Sequence, residues 1–365
     1  MAPSRIRLHF LCFSFCLLLR EYGCCASASY DSEKDALLSP SSSFAIAGYL
    51  PDYRFYINVN ETAPYLTDLM LFSVSPPATF SASTKLTQSC CLDEGKFEVA
   101  REARAYKLRQ NPQGPKLKLW VTVGGGGRSN GFASLWKNEK QLGLFIQALI
   151  RLASEEKLDG VDLDCEQITS QDDFRQYIEL IHRVAPALHA KGLLLSVALH
   201  ARMVLPSSTY ASVDRINLMA YDMQGKYHAE LKDAENACEQ LIASGCPPNK
   251  IVLGIPAYGR HHHRPSEVKT FSEGIDAFES SSKTSVLAEK VDRLDVFQSF
   301  QYESPRAVRA KAAYAKKKGL GGVFLWELGQ DKQHAIAPGG ILLEAASGRH
   351  YENGHRESTN SDDEL

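Results

Sequence analysis

The chain has 365 residues, 44% of them hydrophobic and 23% charged, the balance of an ordinary soluble protein with a sizeable core. That length holds two small domains or one large α/β barrel. A formal net charge of -2 draws in neither a polyanion nor an anionic membrane surface, which excludes nucleic acid as a partner.

At the N-terminus, Arg5 and Arg7 precede an apolar run over 8–19 and the small residues Ala26, Ser27 and Ala28. This order predicts a secretory signal over 1–28, cut after Ala28, and a linker over 29–43. The run is too short for a membrane span, and Arg20 and Glu21 close it. The expected setting is the secretory pathway, secreted or retained in the endoplasmic reticulum lumen. Cys12, Cys16, Cys24 and Cys25 leave with the signal, and Cys90, Cys91, Cys165, Cys238 and Cys246 remain. An odd number in an oxidising compartment leaves at least one free thiol, for which Cys165 is the candidate. Cys238 with Cys246, or either with Cys90 or Cys91, could bridge, and spacing does not choose among these pairings. Asn60-Glu61-Thr62 is a glycosylation acceptor, expected in a loop.

From Phe44 onward, short apolar runs alternate with helical patterns, the mark of repeated βα units around a parallel sheet. Strands are predicted over 44–49, 69–74, 117–123, 160–164, 193–199, 215–220, 251–255 and 322–325. Helices are predicted over 141–157, where Leu142, Phe145, Leu149 and Leu152 share a face, over 174–189, and over 305–318, which opens on a proline suited to a first turn. Eight strand–helix repeats predict a single α/β domain over 44–346, a TIM (β/α)8 barrel with its site at the C-terminal ends of the strands. Residues 261–299 lack periodicity and read as a loop with short helices. Residues 347–365 read as a polar, disordered tail. Its last residues, Asp362-Asp363-Glu364-Leu365, resemble retrieval signals ending in Asp-Glu-Leu, with Asp where Lys or His is usual.

The fourth strand runs into Asp159-Gly160-Val161-Asp162-Leu163-Asp164-Cys165-Glu166. Side chains alternate along a strand, so Asp162, Asp164 and Glu166 share one face with neighbours roughly 6–7 Å apart. Three like charges side by side cost stability and force a carboxyl to hold its proton, which is what a general acid for glycosidic cleavage needs. The apolar Leu158, Val161 and Leu163 mark a buried strand rather than a solvated edge.

These residues resemble glycoside hydrolase family 18, the chitinases and their relatives, in the form without the chitinase insertion domain. The motif Asp159-Gly160-x-Asp162-x-Asp164-x-Glu166 matches the family signature at every specified position. Five further strand ends are similar in order: Phe44-Ala45-Ile46-Ala47-Gly48-Tyr49, Val121-Thr122-Val123-Gly124-Gly125, Asn217-Leu218-Met219-Ala220-Tyr221-Asp222, Gly254-Ile255-Pro256-Ala257-Tyr258-Gly259-Arg260 and Gly321-Gly322-Val323-Phe324-Leu325-Trp326-Glu327.

The resemblance implies a retaining hydrolase in which the substrate's own 2-acetamido carbonyl attacks the anomeric carbon. Glu166 would be general acid and then base. Asp164 would hold the acetamido N–H, Asp162 would share a proton with Asp164, and Tyr221 would align the acetamido oxygen. Trp326 would floor the reacting sugar, and Tyr49, Met219, Asp222, Tyr258 and Arg260 would line the cleft. The implied partner is a chitin-like polymer or oligomer of β-1,4-linked N-acetylglucosamine, acted on by a monomer without cofactor or metal.

Two motifs carry no metal or phosphate site, the first reading as a rim or subsite element or as plain solvent exposure. The run His261-His262-His263 cannot easily converge on one ion, and Gly124-Gly125-Gly126-Gly127 lacks the Lys-Ser/Thr of a phosphate loop. Cys165 and Gln167 depart from the aromatic residues usual beside the acids. Only about 60 residues separate Arg260 from Gly321, too few for the insertion that walls a deep groove, which predicts an open cleft. Alternatives are an endo-β-N-acetylglucosaminidase acting on the chitobiose core of N-glycans, a non-catalytic chitin-binding lectin, and a metal-dependent barrel enzyme.

Overall fold

The computed structural model describes residues 44–89, 92–136, 138–223, 227–281 and 287–348. Seven consecutive barrel strands are β1 (Ala45–Pro51), β2 (Asp68–Val74), β3 (Lys118–Gly124), β4 (Gly160–Asp164), β5 (Leu194–His200), β6 (Arg215–Met219) and β7 (Ile251–Pro256). Four short strands follow: β8 (Tyr258–His261), β9 (Val268–Thr270), β10 (Val296–Phe297) and β11 (Phe300–Gln301). Then β12 (Gly322–Trp326) completes the ring. The barrel is closed in the order β1-β12-β7-β6-β5-β4-β3-β2, every pair parallel. It is the TIM barrel that the eight repeats predict, each strand within about two residues of its expected place.

Alternation divides the strand side chains into two cores. Outward-facing residues such as Leu71, Val121, Leu163 and Val197 pack under the helices in one cluster. Ala47, Tyr49, Met70, Trp120, Val252 and Phe324 form a second cluster within the ring. Helices Glu139–Glu155, Gln171–His189 and Pro305–Lys317 begin where Asn138, Ser170 and Ser304 accept backbone N–H bonds from Gln141, Asp173 and Ala307. Two of the three thus start earlier than the apolar spacing predicts, because the caps set the first turn. Helices Glu94–Gln110 and Leu231–Ala243 were not marked by that spacing.

Three expectations are corrected. Within 261–299 the helices Phe271–Ser281 and Leu287–Asp292 are joined by β9 to β11, which with β8 form a small sheet in the order β10-β11-β8-β9. Strands of two to four residues are too short to show alternation. Cys238 and Cys246, like Cys165, are buried free thiols, so neither is bridged. Asn60 lies in the short helix Val59–Thr62 rather than a loop, and the buried Thr62 hydroxyl donates to the Val59 carbonyl.

The signal, linker and tail beyond residue 348, with Cys90 and Cys91, lie outside the described residues. Among the described residues no helix is long and apolar enough to cross a membrane.

Candidate active site

The site grows from the parallel register of β3, β4 and β5. Asp162 stands level with Thr122 on β3 and Ser196 on β5, and Asp164 with Gly124. Asp162, fully buried, accepts hydrogen bonds from Tyr49 Oη (2.9 Å), Thr122 Oγ1 (3.0 Å), Ser196 Oγ (2.6 Å) and Asn217 Nδ2 (3.0 Å). Burial still raises its pKa, against the lowering effect of these donors. All four donors are neutral and none is Asp164, so the shared proton implied between the two aspartates is not a hydrogen bond of this structure.

One pleat further out, Asp164 is 3% exposed, and its Oδ1 is buried with no hydrogen-bond partner. Burial first, then the charges of Glu166 and Asp162, push its pKa well above the ordinary carboxylate range. Glu166, just past the strand end, is exposed. Partial burial raises its pKa, a hydrogen bond from the Gly126 backbone lowers it, and the Asp222 charge raises it again. Ser129 fixes this strand end: its Oγ accepts from Glu166 N (3.2 Å) and lies within donating distance of the Asp164 carbonyl (3.1 Å). Gly124 and Gly125 carry φ of +100° and +93°, and a Cβ on Gly124 would meet the Asp164 carbonyl at 2.2 Å. Only glycine lets this loop run so close to β4.

Asp164, Glu166, Met219, Tyr221, Asp222, Tyr258 and Trp326 line one cavity of about 500 Å³ at the C-terminal end of the barrel. Burial first holds the Tyr221 hydroxyl well above its ordinary pKa, so it stays protonated. Asp222 has φ of +56° in the loop after β6. Its Oδ1 accepts from Tyr258 Oη (2.6 Å) and from Arg260 Nε (3.0 Å) and Nη2 (2.5 Å). Burial would raise this carboxyl, but donors from His228, Tyr258 and Arg260 outweigh it and hold it below the usual range. Trp326 packs edge-on against Phe72 at 4.7 Å.

Two residues expected to line the cleft lie elsewhere. Tyr49, 2% exposed, sits beneath it, held between Asp162 and the rings of Phe324 and Trp326. Arg260 is not among the lining residues and instead donates to Asp222 Oδ1. Phe72, Arg128 and His200 line the cavity without having been singled out. Phe72 and His200 stand at or near the C-terminal ends of predicted strands, the one signal that would have found them. His261 is buried beside Phe300, with its Nε2 2.9 Å from Arg264 Nη2. Among the described residues, no group of three or more His, Cys, Asp or Glu is placed to hold a metal ion.

The family model for glycosyl hydrolases family 18 matches residues 48–331. The chain belongs to this family. "Chitinase 1" of Aphanocladium album is 24% identical over 62% of this chain and 64% of its own length. A "Class V chitinase" of Arabidopsis thaliana is 27% identical over 61% of this chain and 72% of its own length. The chain spans less than two thirds of the Aphanocladium relative. A mutant family 18 chitinase of Cycas revoluta in complex with (GlcNAc)4 superposes with a TM-score of 0.68 at 22% identity, over 83% of this chain and 99% of that one. At that identity the match shows the fold, a family 18 barrel.

Proposed function

We propose that this protein is a retaining glycoside hydrolase cleaving β-1,4 links of N-acetylglucosamine polymers or oligomers with the help of the substrate's acetamido group. The observation that carries the reading is the buried Asp164 Oδ1 without a partner beside the exposed Glu166. A buried acceptor left open calls for a donor, and a 2-acetamido N–H is a donor of the right kind next to the bond a Glu166 carboxyl would protonate. Relatives named chitinases, and (GlcNAc)4 bound to a neighbour of the same fold, support this substrate class.

In the proposed sequence Glu166 donates its proton to the leaving oxygen while the acetamido oxygen forms a bond to the anomeric carbon. Asp164 accepts the acetamido N–H and offsets the positive charge of the resulting oxazolinium ring. Tyr221 aligns the acetamido oxygen, and Trp326 supplies an apolar floor. Water then attacks the anomeric carbon, Glu166 takes its proton, and the acetamido group is restored with β configuration. The residues over 5–28 support action in the secretory pathway.

Graded chito-oligosaccharides, read by NMR as the reaction runs, test the proposal. Early β-anomer products, lost in Glu166→Gln by at least about a thousandfold, are expected. Early α-anomer products, or undiminished turnover in Glu166→Gln, would overturn it. Release of glycan from N-glycoprotein but not from chitotetraose would replace it with the endo-β-N-acetylglucosaminidase reading.

A further inference from the structure

Behind the cavity lies a buried polar chain that the proposed chemistry does not use. His228 is 3% exposed, and both its ring nitrogens are buried without a hydrogen bond, Nδ1 standing at ion-pair distance, 3.3 Å, from Asp222 Oδ1. Its ring lies 5.1 Å from the Tyr258 ring at an interplanar angle of 31°, and its backbone N–H donates to Gln301 Oε1 on β11 (3.1 Å). On the side of helix Pro305–Lys317, Glu303 and Lys311 form an ion pair at 2.8 Å, each 3% exposed or less. Lys311 Nζ also donates to the carbonyl of Ala229, the residue after His228. Among the described residues, the charged and titratable groups around His228 are thus Asp222 from the loop after β6, which Arg260 of β8 also binds, Tyr258 from β8, and Glu303 with Lys311 from the last barrel helix and the turn before it.

The arrangement is directional. Tyr258, Arg260 and His228 all converge on Oδ1 of Asp222, and none of these contacts goes to Oδ2. Asp222 keeps 42% of its side chain exposed and lines the cavity whose acid is Glu166. A non-glycine residue at φ of +56° has few neighbouring conformations, and His228 is the third side chain to approach the same oxygen.

We propose that His228 is a positioning residue: its imidazole, braced through the backbone by Gln301 and, at Ala229, by Lys311 of the buried Glu303–Lys311 pair, places Nδ1 against Asp222 so that the Asp222 negative charge stays beside Glu166. The inference rests on the proposed hydrolytic reading for its kinetics only. The charge of a fixed Asp222 keeps the proton on Glu166 to higher pH, and a displaced Asp222 releases it sooner. His228 therefore acts on the reaction through Asp222, without touching substrate.

Asn and Leu are close in shape, and only Asn places an N–H where His228 Nδ1 stands. Phe keeps a ring on Tyr258 without a donor. His228→Leu and His228→Phe are expected to lose about tenfold in kcat on chitotetraose with KM within about twofold, and His228→Asn to recover to within about threefold of the parent. The titration midpoint of the Glu166 carboxyl, followed by ¹³C NMR, is expected to fall in Asp222→Asn, in His228→Leu and in His228→Phe. Neither His228 change should add to the Asp222→Asn loss in the double variant.

Unchanged kcat and midpoint in both donorless variants would overturn the inference. So would losses that add to those of Asp222→Asn, or a His228→Asn protein as impaired as His228→Phe. If the parent protein releases nothing from chito-oligosaccharides, the functional reading fails, while the Glu166 midpoint still decides whether His228 places Asp222.

Discussion

Asp162 and Asp164 lie two residues apart on one face of β4, both buried, and the same change to asparagine should move stability in opposite directions. Asp162 is met by four donors, so an amide in its place turns an NH2 toward groups that donate. Asp162→Asn should cost about 2 kcal/mol and lower the melting temperature by several degrees. Asp164 has an oxygen with no donor and two acidic neighbours. Its folded pKa lies above its unfolded value, so the folded state holds the extra proton between the two, and stability falls as pH rises through that window. Asp164→Asn removes this loss. It should melt above the parent at pH 7, with a smaller gain at pH 4, while activity disappears. Calorimetry at the two pH values checks this, and a lower melting point for Asp164→Asn at pH 7 would show that the fold supports this charge. The acids themselves were legible because alternation on a single strand places them. Ser196, Asn217, Ser129 and His228 were not, since which residues stand level across a barrel depends on its register, and register has no local signature.

At the scale of elements, what was legible follows from how each element is buried. Barrel strands are covered on both faces and read as continuous apolar runs. Helix Glu94–Gln110 buries Phe97, Ala100, Ala103 and Lys107, a stripe in which only one side chain is large and apolar. Lys107 earns its place by donating to the Leu66 carbonyl, which no hydropathy pattern conveys. The six-residue helix Ile341–Ala346 is buried at every position and too short to persist alone. It is held by Asp331, whose carboxylate accepts the backbone N–H groups of Lys332 (2.7 Å), Leu342 (3.0 Å) and Leu343 (2.9 Å). Burial pushes Asp331 up to about 7 despite these donors. Asp331→Ala strands those N–H groups without acceptors and should cost about 2–4 kcal/mol. Amide hydrogen exchange over 341–346 should speed up well beyond the rest of the barrel. Unchanged protection there would show that packing alone holds this helix.

For the whole molecule, the two ends of the barrel are built differently. At the N-terminal end Asp68 pairs with Arg215 (2.7 Å) and accepts from Trp120 Nε1 (2.8 Å), sealing the ring with a buried ion pair under an indole. Burial would raise Asp68, but Arg215 and Thr67 hold it below the ordinary range. Among the described residues the C-terminal end stays open over the cavity, and the only sheet beside it has strands of two to four residues. That sheet is too small to roof a long groove, and a cavity of about 500 Å³ holds a short stretch of glycan with the remainder in solvent. A polymer chain should therefore bind at internal positions and leave after each cut. With soluble, partially N-acetylated glucosamine polymer, viscosity should fall steeply while few reducing ends have formed, and chitohexaose should be cut at more than one bond. Steady release of a single short product with viscosity preserved would mean that the chain is threaded through the site, and would require a wall over the cleft that the β8–β11 sheet is too short to build.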